Sequence, residues 1–208
     1  MIRPLLLAAV APLAMIIVAC GSEAATSLPS SGSSPASAAT STSTSGGFAA
    51  TDSNPAGDIP DTQAFVAVSD AQSRFTVQVP EGWARSDQGA ASTFTDHYNS
   101  IRLETAAAST APSVESARST EVPRITAGGG NVASPQVSST QRPAGSVVLI
   151  TYTADSSPDP VTGKVARVSV ERYEYWRGGT EAIVTLASPV GADNVDPWRK
   201  VTESFSWK

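Results

Sequence analysis

Cysteine and histidine, the side chains that carry much nucleophilic and metal chemistry, each occur once in this chain of 208 residues. Cys20 stands near the N-terminus, and His97 lies in the stretch Asp96-His97-Tyr98. A zinc cage needs several Cys or His ligands. A general-base role for His97 needs a nucleophile within hydrogen-bond reach, and the sequence has no Gly-x-Ser-x-Gly motif to supply one. We therefore interpret His97 as a solvated loop histidine and expect no catalytic residue, no metal and no cofactor.

Three other patterns favour ordinary structural roles. Glu171 and Glu174 differ by an odd number of positions, so on a strand they face opposite sides, and we expect both to be surface charge. The Gly128-Gly129-Gly130 run lacks the Lys-Ser/Thr of a phosphate-binding loop. The stretch Asp155–Asp159 lacks the central glycine and the distal glutamate of a calcium loop. The last two patterns therefore predict plain loops.

The N-terminal residues are typical of an export sequence. Arg3 supplies a positive charge, and an uncharged apolar run follows from Leu5 to Val18. As a helix this run rises about 21 Å, which is short of the ~30 Å hydrocarbon core of a membrane. We therefore predict that residues 1–19 form a signal peptide and not a membrane-spanning helix.

The end of this run, Val18-Ala19-Cys20, resembles the lipobox of bacterial lipoproteins. The resemblance implies that the Cys20 thiol receives a diacylglyceryl group and that cleavage falls between Ala19 and Cys20. Two acyl chains anchor a protein stably without a transmembrane helix. The alternatives are an ordinary secretory signal that ends at Cys20 and cleavage slightly later, near Glu23-Ala24-Ala25. The lipobox predicts an extracytoplasmic protein anchored to the outer face of the cell membrane.

Composition divides the rest of the chain into a tether and a domain. Residues 21–60 are mostly Ser, Thr, Ala, Gly and Pro, which bury too little apolar surface to fold. With Cys20, this stretch is expected to be a disordered tether, and its Thr40–Ser45 run could carry O-linked sugars. Aromatic, β-branched and charged residues return in residues 61–208, which we predict to be one domain. The net charge of −5 argues against nucleic acid as a partner.

Alternating apolar residues predict a strand-rich domain. Phe75, Val77 and Val79 repeat with a period of two, and a meander of three strands is expected in the C-terminal third. Phe65–Val68 fits either a strand or a helical turn. The other predicted strands are Ser92–Asp96, Ile101–Thr105, Val132–Thr140, Val147–Thr153, Val165–Trp176 and Glu181–Ala187.

Two helices complete the predicted α+β domain. One spans Pro112 to Val122, with Thr110 as its N-cap and Pro123 ending or kinking it. The other begins with Asp196 as N-cap and Pro197 in its first turn. Its apolar residues Trp198, Val201 and Phe205 form one stripe, which would cover a face of a single antiparallel sheet.

Several segments together are similar to the PsbP-like domains of the LpqN/LpqT-type actinobacterial lipoproteins. The similarity lies in Phe75–Trp83, Asp159–Lys164, Glu171–Tyr173 and the stretch from Pro189 through Trp198 to Phe205, and it covers about residues 62–208. The resemblance implies an α/β/α sandwich around an antiparallel sheet, as in PsbP and the Ran-binding Mog-type proteins. It also implies a binding or assembly factor, with no catalytic residues to carry over.

The sequence thus predicts a non-enzymatic, lipid-anchored binding domain for a protein or envelope component. A candidate binding surface consists of Trp83, Asp155, Lys164 and Trp176. For the tryptophans we expect mainly packing in the core or at its edge, at the junction of sheet and helix, and the alternative is a role in binding, since aromatic residues are common at binding hot spots. Two other functions stay open from the sequence, a carrier with an apolar pocket between sheet and helix and a hydrolase of envelope polymers.

Overall fold

The computed structural model describes residues 57–159 and 161–208, and the predictions for residues 1–56 lie outside this part of the chain. The described part contains ten strands and two helical regions. The strands are β1 (Phe65–Ser69), β2 (Phe75–Pro80), β3 (Ala84–Gln88), β4 (Ala91–Asp96), β5 (Asn99–Ala107), β6 (Ala133–Arg142), β7 (Gly145–Asp155), β8 (Arg167–Arg177), β9 (Thr180–Pro189) and β10 (Ser206–Trp207).

The strands form two antiparallel sheets. The large sheet has the order β3-β4-β5-β9-β8-β7-β6, and the small sheet has the order β1-β2-β10. The predicted hairpin of β4 and β5 and the predicted meander of β7, β8 and β9 are confirmed. The single predicted sheet is wrong, because β2 pairs with β1 and with the C-terminal β10 instead of joining the large sheet. Alternation along β2 identifies its buried face but not its neighbours.

The first helical region differs from the prediction at both ends. It consists of α1 (Val114–Ser116), a π-helical turn (Ala117–Glu121) and α2 (Val122–Ala127). Ser113 caps it instead of Thr110, through a capping box in which the Ser113 and Ser116 side chains each accept from the other's backbone N–H. Pro123 does not end the helix, because it lies in the first turn of α2, just after the π-helical turn.

The C-terminal helix α3 (Val195–Glu203) begins one residue before the predicted cap. Asn194 and not Asp196 is the N-cap residue, since its carbonyl accepts the first helical hydrogen bond, from Trp198 N at 2.9 Å. The predicted stripe is confirmed, because Trp198, Val201 and Phe205 are all buried. No helix among the described residues is long and apolar enough to cross a membrane.

The main core lies between the large sheet and a layer made of α3 and the small sheet. Aromatic rings fill its centre: Phe205 stacks on Tyr175 with ring centroids 3.9 Å apart and on Phe75 at 4.8 Å. The Tyr175 hydroxyl donates to the Thr202 carbonyl at 2.9 Å, which ties β8 to α3. The first helical region covers the opposite face of the large sheet, where Ala117 packs with Val148 and Ile150. These three layers agree with the predicted sandwich.

The domain includes residues just before the predicted boundary at residue 61. Ile59 is buried in the main core, and its backbone N–H donates to Asn194 Oδ1 at 2.7 Å. The Gly57 carbonyl accepts from Asn99 Nδ2 at 3.0 Å and from Asn194 Nδ2 at 2.9 Å. Two buried asparagines therefore fasten this segment to the domain.

Candidate binding face

The face of the large sheet under the first helical region, which we call the helical face, carries an unusual set of polar side chains. On its central strands, Arg102, Thr185 and Arg172 are direct cross-strand neighbours from β5, β9 and β8. Alternation along each strand places all three side chains on the same side. The helical region covers only the β6–β7–β8 side, where the apolar residues Val148 and Ile150 lie. The remaining part of this face carries these polar groups together with apolar residues such as Val168 and Ala187.

Arg172 is the centre of a charged cluster beneath the helical region. Its Nε donates to Glu174 Oε1 at 2.9 Å, and its Nη2 lies 3.5 Å from Glu121 Oε2 in the π-helical turn. Glu121 also pairs with Arg124, with 3.1 Å between nitrogen and oxygen. On β5, Arg102 pairs with Glu104 at 2.9 Å. Pairing of this kind offsets part of the desolvation cost of a buried charge, which is very large for an isolated charge.

The prediction that Glu174 is surface charge is wrong. Only 1% of this residue is exposed, whereas Glu171 is half-buried on the other face and accepts from the Tyr173 hydroxyl at 2.7 Å. The two glutamates do face opposite sides, as their spacing predicts. The helical region closes the Glu174 side of the strand to water, and the spacing within one strand carries no information about that.

Burial perturbs two carboxyl groups on this face. Desolvation raises the pKa of Glu174, and the neighbouring Arg172 guanidinium opposes this effect. Desolvation also raises the pKa of Glu181 to about 7, with a smaller contribution from the negative charge of Glu174. Perturbed carboxyl groups of this kind gather at binding and catalytic sites, although structural ion-pair networks produce them too.

Two buried polar atoms on this face, Glu174 Oε2 and Thr185 Oγ1, have no hydrogen-bond partner within the part of the chain that the structure describes. Both residues are neighbours of Arg172, one on the same strand and the other directly across on β9. Such atoms are rare in folded proteins because each costs roughly 1–3 kcal/mol. They flank Arg172, and each lines a different cavity of this face, where an external group could supply the missing hydrogen bond.

A groove of about 370 Å³ opens on the uncovered side of the helical face. Its floor is formed by strands β4, β5 and β9, and its wall is the loop that follows β7. Hydroxyl groups and one guanidinium dominate its polar lining, from residues that include Thr93, Thr95, Ser100, Arg102, Ser156 and Thr185. This lining can donate and accept hydrogen bonds, although apolar atoms form most of its exposed surface, and it therefore suits a ligand with both polar and apolar parts.

His97 stands at the rim of this groove, in the turn between β4 and β5. Its side chain is 84% exposed, and its Nδ1 lies 2.8 Å from Asp96 Oδ1. Among the described residues no serine, threonine or tyrosine hydroxyl forms a hydrogen bond with the imidazole. The geometry therefore agrees with a solvated loop histidine and supplies no nucleophile for acyl transfer.

The structure separates the four residues predicted to form a binding surface. Trp83 packs edge-on against Trp198 of α3, on the side of the main core, with 6.3 Å between the rings. Asp155 and Trp176 lie near opposite ends of β8, roughly 30 Å apart at the ordinary strand rise. Lys164 is exposed in the loop that borders the groove. Only Trp176 lines a cavity of the helical face.

Asp155 has a structural role at the end of β7. Its carboxylate pairs with Arg167 at 3.0 Å and accepts from the Asn131 side chain. Both hydrogen bonds lower the pKa of Asp155. These contacts fasten the loop after α2 to the β7–β8 hairpin.

Sequence reasoning missed Arg102, Arg172 and Thr185. One feature of the sequence could have identified Arg172 and Glu174: both charges stand on one face of a long strand whose other face carries Tyr173 and Tyr175. A strand with aromatic residues on one face and paired charges on the other indicates a polar contact on that second face.

The comparisons with known proteins bear on the fold. The structure matches the Saccharomyces cerevisiae Ran-binding protein Mog1p with a TM-score of 0.50, over 70% of this chain and 96% of that protein, at 10% sequence identity. A crystal structure from Bacteroides thetaiotaomicron matches with a TM-score of 0.41 at 11% identity, over 68% of this chain and 48% of that one. No family model and no curated protein matches the sequence.

The likeness to Mog1p confirms the predicted α+β fold of antiparallel sheets with few helices, and it fits a PsbP-like domain. At 10% identity it extends to the fold alone. Membership of the LpqN/LpqT-type lipoproteins stays a prediction from the sequence.

Proposed function

We propose that this chain is a lipid-anchored extracytoplasmic binding protein whose domain holds a protein or envelope partner without catalysing a reaction. The groove on the helical face carries this proposal. It combines a hydroxyl-rich lining with a partly uncovered sheet face and the unpartnered Thr185 Oγ1. Such a surface offers polar contacts to a ligand but no nucleophile held by a general base.

Two further observations support the proposal. The fold is like that of Mog1p, which is described as a Ran-binding protein. In the sequence, Cys20 follows an apolar run in a lipobox-like pattern, and the Ser/Thr/Ala/Pro-rich stretch after it is suited to a tether. Together they support the proposal of a binding domain on the outer face of the cell membrane, where it would meet envelope components.

The apolar carrier is less well supported than a binding role. It needs a cavity between the large sheet and α3, and the stacked rings of Phe75, Phe205 and Tyr175 occupy that space. The hydrolase is likewise less well supported, because the imidazole of His97 points to no hydroxyl among the described residues.

Site-specific photocrosslinking on intact cells tests the proposal. A chain with p-benzoylphenylalanine in place of Thr95, in the groove, should give a discrete crosslinked species. The matched control carries the same residue in place of Glu203, which is exposed on α3 behind the main core. The same adducts from both positions, or none from either, would contradict a partner in the groove.

The anchor is tested in the same cells by fractionation. The native chain should stay with the membrane and carry fatty acid, whereas Cys20→Ser should be released from it. Retention of Cys20→Ser in the membrane fraction would overturn the anchored part of the proposal and leave the crosslinking result to decide the binding part.

A further inference from the structure

A second cavity, of about 400 Å³, lies at the other end of the helical face and is separate from the groove. It is bounded by the segment before α1, by β6 and β7, and by the end of β8. We call it the Trp176 recess, and the residues that matter for its chemistry are Ser139, Ser146, Glu174 and Trp176. Apart from Glu174, its lining among the described residues is uncharged.

Glu174 brings an unsatisfied negative group to this recess. One of its oxygens accepts from Arg172 Nε at 2.9 Å, whereas Oε2 has no partner among the described residues, and only 1% of the residue is exposed. A buried carboxylate oxygen without a donor is unfavourable, and a donor supplied by a ligand would remove that penalty. Charged donors make the strongest hydrogen bonds of this kind.

Trp176 adds an aromatic surface whose orientation is fixed. Its indole Nε1–H donates to the Ala108 carbonyl at 2.9 Å, and 37% of the residue remains exposed. A ring held in this way loses little conformational freedom when a ligand stacks on it. An aromatic face beside a carboxylate is the usual environment for recognising a cation, since the ring and the carboxylate both attract positive charge.

The charges around the recess are not balanced. Three carboxylates, those of Glu121, Glu174 and Glu181, gather with two guanidiniums, those of Arg124 and Arg172. The guanidinium of Arg118, in the π-helical turn, is instead held by the Val137 carbonyl of β6 at 3.2 Å. Glu181 is the direct cross-strand neighbour of Trp176. When all three carboxyl groups are ionised, one further cation would complete the pairing.

The adjoining strand indicates what kind of molecule brings this cation. β6 is an edge strand, paired only with β7 among the described strands, and its Ser139 lines the recess. An edge strand offers free backbone donors and acceptors to an extended polypeptide. A polypeptide lying along β6 could insert a side chain into the recess.

We propose that the Trp176 recess binds the guanidinium or ammonium group of an arginine or lysine side chain on a protein partner. The identity of the occupant rests on the proposed function, but the cation site itself does not. Arginine is the better fit, because its planar guanidinium stacks on an aromatic face and is more weakly hydrated than an ammonium.

NMR titration tests the recess with small probes. The chain from residue 20 onward, with Cys20→Ser to keep it in solution, is titrated with N-acetyl-arginine amide, N-acetyl-lysine amide and N-acetyl-citrulline amide. Arginine and lysine amides should shift the Trp176 indole N–H and the Ser139 and Val148 amides with saturation. Citrulline, which is neutral and nearly isosteric with arginine, should bind at least about tenfold more weakly.

Three variants assign the effect to the recess. Glu174→Gln and Trp176→Leu should each weaken arginine amide about tenfold, followed through the Ser139 amide. Glu171→Gln, on the same strand but the opposite face, should bind as the parent does. Trp176 is exposed enough that Trp176→Leu should stay folded even if Glu174→Gln does not, and circular dichroism checks both.

The charge state of Glu174 gives a pH test. The groups facing it are Arg172 on its own strand, Glu181 on β9, and Glu121 and Arg124 on the helical region. Arginine amide should bind more weakly at pH 5 than at pH 8, because Glu181, whose pKa is about 7, loses its negative charge at the lower pH, and the raised pKa of Glu174 acts in the same direction.

Equal binding of citrulline and arginine amides, or arginine binding that survives both Glu174→Gln and Trp176→Leu, would overturn the proposal. Saturable arginine binding without a crosslinked partner at Thr95 would support the cation site and count against the proposed function. A crosslinked partner at Thr95 without arginine binding would support the proposed function and count against the cation site.

Discussion

Glu181 shows how the position of one side chain can make stability depend on pH. Burial raises its pKa from 4.5 to about 7, so the folded chain holds this proton more tightly than the unfolded chain does. Between these two values the folded state binds more protons, and the free energy of unfolding falls as the pH rises. This unfavourable contribution is complete above the folded-state pKa.

We therefore predict that Glu181→Gln reduces the loss of stability between pH 5 and pH 8. The glutamine amide cannot ionise, so the free energy of unfolding of the variant should rise relative to that of the wild type as the pH rises. Because Glu174 also has a raised pKa, a smaller decrease in stability with pH remains in both proteins. Urea unfolding at pH 5, 6, 7 and 8 measures the effect. The exposed Glu203→Gln is the control and should follow the wild type. Parallel curves for Glu181→Gln and wild type would refute the assignment.

At the scale of elements, α3 and β10 are joined to the large sheet by one aromatic stack. Phe205, in the short link between them, contacts Tyr175 of β8, Phe75 of β2 and Trp207 of β10. These rings come from both sheets, so Phe205 joins the small sheet to the large one, whereas the edge-on pair of Phe75 and Trp207 lies within the small sheet.

We predict that Phe205→Ala lowers the free energy of unfolding by about 3–5 kcal/mol, since a ring is lost from a filled core and a cavity remains. Val195→Ala is the matched control, because Val195 is 63% exposed in the first turn of α3, and it should cost less than about 0.5 kcal/mol. Denaturant unfolding of the wild type and both variants measures these differences in the free energy of unfolding. A loss below about 1 kcal/mol for Phe205→Ala would show that the stack contributes little.

At the scale of the whole molecule, the domain depends on residues that composition assigned to the tether. Ile59 is buried in the main core, and Asn194 holds its backbone and that of Gly57. A chain that begins at residue 61 leaves a hole in the core and leaves the polar groups of Asn194 without these partners.

We predict that a domain beginning at residue 57 is about 3 kcal/mol more stable than one beginning at residue 61. Denaturant unfolding of the two fragments measures the difference, with Ile59→Ala in the longer fragment isolating the contribution of the side chain. Limited proteolysis of the whole chain should leave a fragment that begins no later than residue 57. Equal stability of the two fragments would be inconsistent with the burial of Ile59.

Local patterns in the sequence determined the identity of most elements. Alternation with a period of two located β2 and the β7–β9 meander, and a helical stripe located Trp198, Val201 and Phe205. These patterns are reliable because each reflects which side of one element faces apolar surroundings. The same logic placed Glu171 and Glu174 on opposite faces of their strand.

The tertiary structure alone decided how deeply each of those two glutamates is buried. The first helical region lies over the even-numbered side chains of β8, so Glu174 is buried with Arg172, and Thr185 is brought beside them from another strand. Long-range pairing also placed β2 with β10 in a second sheet and drew Ile59 into the core. Contacts between residues far apart in the chain leave no local periodicity, so the groove and the Trp176 recess became visible only in the folded molecule.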